Sequence, residues 1–114
     1  MRLILTNCNV IDCVNPDPKT QATVVIQDGR ILEIRDGALS NTSSEDQVID
    51  LGGSYLLPGL WDVHVHPQHP VPAGTTVAQI TADFGQNLQR GLTEAGVTGI
   101  RSGGANNWID VAWR

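Results

Sequence analysis

The order of apolar and polar residues predicts that the first half of the chain consists of β-strands. Two runs rich in β-branched residues, 22–27 and 30–35, flank Asp28-Gly29. An Asp-Gly pair between two such runs favours a two-residue hairpin turn, because both positions tolerate positive φ. The two-residue period of a strand then predicts one apolar face, formed by Val24, Ile26, Leu32 and Ile34.

The strand pattern extends to about residue 57. Residues 2–12 alternate loosely between apolar and polar, and the small and polar residues 37–47 predict a surface loop. Two short extended pieces follow, with Gly52-Gly53 as the turn between them. Residues 1–57 are therefore expected to be all β.

The pattern changes after Pro58. "WDVHVH" predicts a short strand, and the proline-rich residues 67–76 predict a loop. Thr75 or Thr76 is expected to cap a helix that Gly96 ends in the left-handed conformation. The helix is indicated by apolar residues at spacings of three and four, namely Val77, Ile80, Phe84, Leu88 and Leu92.

A second strand and the beginning of a second helix follow this first helix. "VTGIRSGG" predicts the strand, and "NNWIDVAWR" predicts the helix start, with Asn107 as its cap. The order strand, helix, strand, helix is typical of parallel α/β units.

Composition and charge exclude several function classes. The chain has 114 residues, a formal net charge of -5 and only seven Lys plus Arg residues. This provides no electrostatic footprint for nucleic acid or an anionic membrane, and neither partner is expected. The apolar run of residues 3–5 is too short for a signal peptide or a membrane span, so the sequence predicts a cytoplasmic protein. Self-association into a homo-oligomer stays open.

The candidate chemistry lies in residues 58–67, "PGLWDVHVHP", which contain the short strand "WDVHVH". His64 and His66 are two residues apart, so on a strand they point to one face with Cα atoms ~6.6 Å apart. Two imidazoles so placed can bind one metal ion at about 2.1 Å from each ring nitrogen. Asp62 shares this face. The alternative is a chance pair, each ring hydrogen-bonded to backbone.

The surrounding residues resemble a known family. "IDLGGSYLLPGLWDVHVHP" resembles the start of the amidohydrolase superfamily, in which Pro-Gly, an apolar residue, any residue and then Asp-x-His-x-His mark the passage from a β-sandwich to a (β/α)8 barrel. "GLTEAGVTGIRSGG" resembles the second barrel strand, especially of the imidazolonepropionase and Xaa-Pro dipeptidase-like branch. The resemblance implies a β-sandwich segment at 1–57 and, at 58–114, the first βα unit and second strand of an incomplete TIM barrel.

The resemblance also implies a function for the histidines. His64 and His66 match ligands of a divalent metal, commonly zinc, as one or two ions that activate water to hydrolyse a carbon-nitrogen bond of a small-molecule substrate. Asp62 matches a residue that orients the site, although a structural carboxylate accepting backbone hydrogen bonds is an equal alternative. A deaminase of the same superfamily and a non-catalytic interaction or assembly module that retains the motif also stay open.

The family's remaining ligands have no match in this sequence. His69 lies in the predicted proline-flanked loop. We expect its side chain to be exposed to solvent or, alternatively, to line the substrate cleft. Arg101 is assigned to an ion pair or, alternatively, to a substrate carboxylate, and Ser102 follows it where the related branch usually has an acidic residue. A barrel takes ~250 residues and catalytic zinc takes three protein ligands. The chain is therefore expected to be an N-terminal fragment that is inactive alone.

Overall fold

The structure is a computed structural model that describes residues 1–68 and 70–113. The chain divides into two compact units, Met1–Pro58 and Gly59–Arg114. Each unit has its own sheet, and the units are taken one at a time below. No helix in the described part of the chain is both long and apolar enough to cross a membrane.

The first unit is a five-stranded mixed sheet. Its strands are β1 (Leu3–Val10), β2 (Lys19–Gln27), β3 (Arg30–Asp36), β4 (Gln47–Asp50) and β5 (Tyr55–Leu56). The strand order is β3-β2-β1-β4, and β5 also pairs with β1. β1 is antiparallel to β2 but parallel to β4 and β5. The all-β prediction for this region is confirmed.

The hairpin between β2 and β3 forms at the predicted Asp-Gly pair. Asp28 and Gly29 have φ of 51° and 72°, and Gln27 pairs with Arg30 across the turn. Two positive φ angles are what a type I′ turn needs. The predicted apolar face is only half right, however, because Leu32 is 60% exposed on β3 while Val24 on β2 is buried.

The core of the first unit lies between β1 and β2. One buried cluster consists of Cys8, Val10, Ala22 and Val24, packed against Leu5, Ile26, Leu51 and Leu56. Ile4, Thr23 and Val25 of the same strands are buried as well. An ion pair between Arg2 and Asp46 holds the predicted loop against the start of β1. The hydrogen bond from the Arg2 guanidinium, and a second one from the Ser43 amide, hold the pKa of Asp46 well below the usual range of a carboxyl group.

The second unit is a parallel strand–helix–strand unit. Its elements are β6 (Leu60–Val65), α1 (Val77–Ala95) and β7 (Val97–Ser102), followed by a 3-10 helix (Asn106–Trp108) and α2 (Ile109–Ala112). β6 and β7 pair in parallel, as the strand–helix–strand order predicted. The carboxyl ends of both strands therefore lie at one edge, where residues that follow each strand meet.

The limits of α1 follow from its caps. The Thr76 side chain accepts a hydrogen bond from the Gln79 amide, and the Gln79 side chain accepts one from the Thr76 amide, which forms a capping box. Gly96 ends the helix with φ 66°, the left-handed conformation that glycine adopts without steric cost. Of the predicted apolar stripe, Ile80 and Phe84 are buried and pack against Ile109.

The predicted start of the second helix is wrong in detail. Asn107 has φ 58° and lies inside the 3-10 helix, so it is the N-cap of neither helix. α2 begins at Ile109, and its N-cap position is Trp108, which is also left-handed. The amide of Asn106 is satisfied instead by the Gln68 side chain, at 2.9 Å. That partner is 38 residues away, so local capping rules do not reveal it.

Candidate metal centre

His64, on β6, and His66, the residue directly after β6, converge as the strand period predicts. Nε2 of His64 lies 3.2 Å from Nε2 of His66, and the two rings meet edge to face with centroids 5.2 Å apart. Both side chains are at the carboxyl end of β6, beside the end of β7. In sheets with parallel strands, binding and catalytic groups concentrate at this edge.

The ring of His66 is fixed by a backbone carbonyl from beyond β7. Its Nδ1 lies 3.1 Å from the carbonyl oxygen of Gly104. A carbonyl oxygen only accepts hydrogen bonds, so Nδ1 of His66 donates and Nε2 of the neutral ring carries a lone pair. Metal-binding histidines have this arrangement, with one nitrogen donating to protein and the other free for the ion.

The donor pair fits a divalent metal ion. Two ligands about 2.0–2.1 Å from one zinc ion, with their nitrogens 3.2 Å apart, subtend about 100° at the ion, close to a tetrahedral angle. A proton on Nε2 of His64 would make the same contact a hydrogen bond between the rings, and its removal leaves two lone pairs that one cation can share. The residues present therefore suit an ion held between His64 and His66.

Asp62 contacts the backbone of the same strand. Its Oδ1 accepts a hydrogen bond of 3.1 Å from the amide of His64. This contact links the carboxylate to one of the two ligand residues through the main chain. It matches the alternative of a structural carboxylate, and it also restrains the strand from which His64 projects.

Two further side chains hold the loops that follow β6 and β7. Asn87 of α1 donates from Nδ2 to the carbonyl of Pro67, at 2.8 Å, and Gln68 accepts from the amide of Asn106. A cavity of about 620 Å³ opens beside His66 between these loops. The sequence does carry a signal for Asn87, because this polar residue lies three positions after Phe84 on the apolar side of the helix.

The other predicted site residues do not join this cluster. Arg101 is exposed on β7, and the hydrogen bonds and ion pairs of the described residues do not include its side chain. His69 lies outside the described residues. Among residues 1–68 and 70–113, no three His, Cys, Asp or Glu side chains are grouped closely enough to hold a metal ion. The described site thus consists of two imidazoles.

The fold and the paired histidines define a class of protein in which a β-rich segment precedes a parallel α/β unit, and known proteins share this organisation. A Xaa-Pro dipeptidase crystallised with bound methionine superimposes with a TM-score of 0.88, at 24% identity, over 100% of this chain and 29% of that one. A crystal structure of a protein described as an amidohydrolase superimposes with a TM-score of 0.77, at 27% identity, over 95% of this chain and 27% of that one. No protein-family model matches the chain.

Sequence similarity adds a deaminase to these two proteins. Adenine deaminase 2 of Oenococcus oeni is 35% identical over 66 residues, which are 58% of this chain and 12% of the deaminase. The chain is thus similar to parts of an amidohydrolase and of a deaminase. It spans less than a third of the length of each of these three proteins.

Proposed function

We propose that the chain forms the part of a metal-dependent hydrolase that supplies two histidine ligands, His64 and His66, to a divalent metal, with zinc as the ion. The 3.2 Å separation of their Nε2 atoms carries this proposal. The whole enzyme would act on a carbon-nitrogen bond of a small-molecule substrate, as an Xaa-Pro dipeptidase and an adenine deaminase do.

A zinc ion at this position would lower the pKa of a bound water to ~7 and so provide a nucleophile at neutral pH. The chain's own residues prepare the ligands. The Gly104 carbonyl holds the proton of His66 on Nδ1, which leaves Nε2 as the donor to the metal. Asp62 would steady His64 through its backbone amide, and the loops anchored by Asn87 and Gln68 border the space beside the pair.

The fold proposal is that residues 1–57 contribute to a β-sandwich and that residues 58–114 open a (β/α)8 barrel. The parallel pairing of β6 with β7 across α1 supports it, since barrels are built from such units. On this proposal the loops after the strands would bind substrate, with His69 and Arg101 as candidate contacts. Two imidazoles are fewer than the three protein ligands of catalytic zinc, so we expect the 114-residue chain alone to bind zinc weakly and without turnover.

Deamination is a second candidate, because the adenine deaminase is 35% identical to the chain over a segment of 66 residues. Hydrolytic removal of an amino group and hydrolysis of an amide both need water activated by a metal, so the same two ligands serve either reaction. A non-catalytic module that retains the motif is a third candidate, and it requires no metal at the pair.

The test is a zinc titration of the 114-residue chain followed by NMR of its three imidazoles. We expect the resonances of His64 and His66 to shift together with one dissociation constant, and the binding to vanish in a His64→Ala/His66→Ala variant. The matched control is His69→Ala, which removes the third imidazole and should leave the dissociation constant unchanged. Zinc binding that survives the double substitution would contradict the proposal, as would a pair whose resonances do not move.

A further inference from the structure

Gly103, the first residue after β7, lies directly against both imidazoles. A methyl group at this position would lie 2.6 Å from Nε2 of His66 and 2.8 Å from Nε2 of His64. Non-bonded carbon and nitrogen atoms do not approach this closely, since favourable contacts between heavy atoms begin at about 3.5 Å. The arrangement of the pair therefore depends on the absence of a side chain at residue 103.

The backbone conformation does not explain the glycine. Gly103 is not among the residues with positive φ, whereas its neighbour Gly104 has φ 127°. An alanine at 103 thus meets no strain from its own backbone, and the three heavy atoms nearest to its methyl group belong to the two histidine rings. Residue 103 must therefore be small because the imidazoles of His64 and His66 lie next to it.

Hydrogen bonds hold both the backbone at Gly103 and the ring of His66 in place. The amide of Gly103 donates to the carbonyl of Val65 at 2.8 Å, which fixes the chain after β7 to the end of β6. The amide of Gly104 donates to the Ser102 hydroxyl at 3.1 Å, and the Gly104 carbonyl accepts from Nδ1 of His66. A side chain at 103 would have to break one of these bonds or swing an imidazole away.

We propose that Gly103 is a positioning residue that keeps open the space in which a metal ion is held by Nε2 of His64 and His66. This inference rests on the proposed function. Ligand nitrogens must approach the ion to about 2.0–2.1 Å, so a displacement of either ring by a few tenths of an ångström removes it from the site. The glycine would act through the histidines and would not touch the substrate.

The experiment compares Gly103→Ala with Gly91→Ala in the 114-residue chain. Gly91 is a matched control because a methyl group there meets only the Val97 side chain, at 4.0 Å. Zn²⁺ alone is the probe, titrated while the imidazole resonances are recorded. We expect Gly103→Ala to weaken zinc binding at the pair at least tenfold, the lower end of the effect of disturbing residues that orient metal ligands, and Gly91→Ala to leave it unchanged.

A stability measurement separates this positioning role from a purely structural one. Gly103→Ala should lower the urea midpoint of the otherwise unaltered chain but not that of the His64→Ala/His66→Ala variant, where the clash is absent. If Gly103→Ala alone fails to fold, we expect the same substitution to be tolerated in the His64→Ala/His66→Ala variant, so that the triple variant folds. An equal loss of stability in both backgrounds would overturn the proposal.

The zinc results distinguish the two proposals. If Gly103→Ala binds zinc as tightly as the unaltered chain, the role of Gly103 is overturned and the metal pair stands. If the unaltered chain shows no zinc-dependent shift at His64 and His66, the metal pair is overturned, and the role of Gly103 falls with it.

Discussion

The capping box of α1 gives the most direct test of how local sequence builds the second unit. In Thr76→Ala the Gln79 amide loses its acceptor, the Thr76 hydroxyl oxygen at 3.3 Å. The reciprocal bond from the Thr76 amide to the Gln79 side chain, at 2.9 Å, stays available because it uses only the main chain of residue 76. The substitution therefore removes half of the box, together with the 2.9 Å bond that the Thr76 hydroxyl donates to Oε1 of Gln79, and keeps the other half.

The magnitude follows from this partial loss. Replacing a threonine N-cap by alanine costs about 0.5–2 kcal/mol. Because the capping bond that is lost is long, the hydroxyl bond to Gln79 is exposed, and the reciprocal bond remains, we expect about 0.5–1 kcal/mol for Thr76→Ala. With a urea m-value of about 1.5 kcal/mol/M, the midpoint should fall by roughly 0.3–0.7 M with an unchanged slope. Urea titration followed by far-ultraviolet circular dichroism measures both quantities.

Two further variants make the test specific. Thr76→Ser keeps the oxygen and should stay within a few tenths of a kcal/mol, ~0.3, of the original. Thr81→Ala removes the same atoms from the interior of α1, where the hydroxyl bonds back to the Val77 carbonyl at 2.8 Å. Alanine is the better helix former there by up to about 0.7 kcal/mol, so this variant should be neutral or more stable. Equal losses in Thr76→Ala and Thr81→Ala would refute the capping argument.

Two other predictions concern the contacts that hold the loops. Arg2 lowers the pKa of Asp46, so the stability this carboxylate contributes is present above the ordinary carboxyl pKa and is lost as pH falls below about 4. Asp46→Asn should destabilise the chain at pH 7, and its difference from the original should shrink toward pH 3 in urea titrations. Asn87→Ala leaves the partly buried carbonyl of Pro67 without its donor, and we expect a loss of about 1–2 kcal/mol in the same assay.

Each of these has its own control. Asp17→Asn removes an exposed carboxylate that takes no part in the described ion pairs, and it should change stability little at either pH. A difference for Asp46→Asn that grows as the solution becomes more acidic would contradict the pairing with Arg2. Gln86→Ala, next to Asn87 but exposed, should be neutral or slightly stabilising. An equal effect of both helix substitutions would show that the bond to Pro67 contributes nothing.

Features encoded by neighbouring residues could be predicted from the sequence. The turn at Asp28-Gly29 depends on the φ preferences of two residues, and the limits of α1 depend on Thr76 and Gly96. The placement of His64 and His66 on one face follows from the two-residue period of a strand. In each case the interaction that decides the conformation spans at most a few positions, so one sequence is sufficient.

Features that depend on distant partners could not be predicted in this way. The parallel pairing of β1 with β4 and the ion pair between Arg2 and Asp46 join segments more than 40 residues apart, and no local pattern marks them. Leu32 continues the alternation of a buried strand and is nevertheless exposed, because burial depends on what packs against a face and not on the period alone. Asn107 is a good cap by composition, but the chain there is left-handed.

The candidate metal centre combines both kinds of information. The motif on β6 provides the donor atoms, and their spacing alone leaves open whether the rings are held in place. The end of β7 adds the Gly104 carbonyl, which fixes the proton of His66, and the space left by Gly103, which both rings occupy. Gly103 and Gly104 follow His64 by 39 and 40 residues in the sequence. In space they are neighbours, because the Gly103 amide donates to the carbonyl of Val65, which lies between His64 and His66. The geometry of the histidine pair therefore depends on the whole strand–helix–strand unit, and not on the short motif alone.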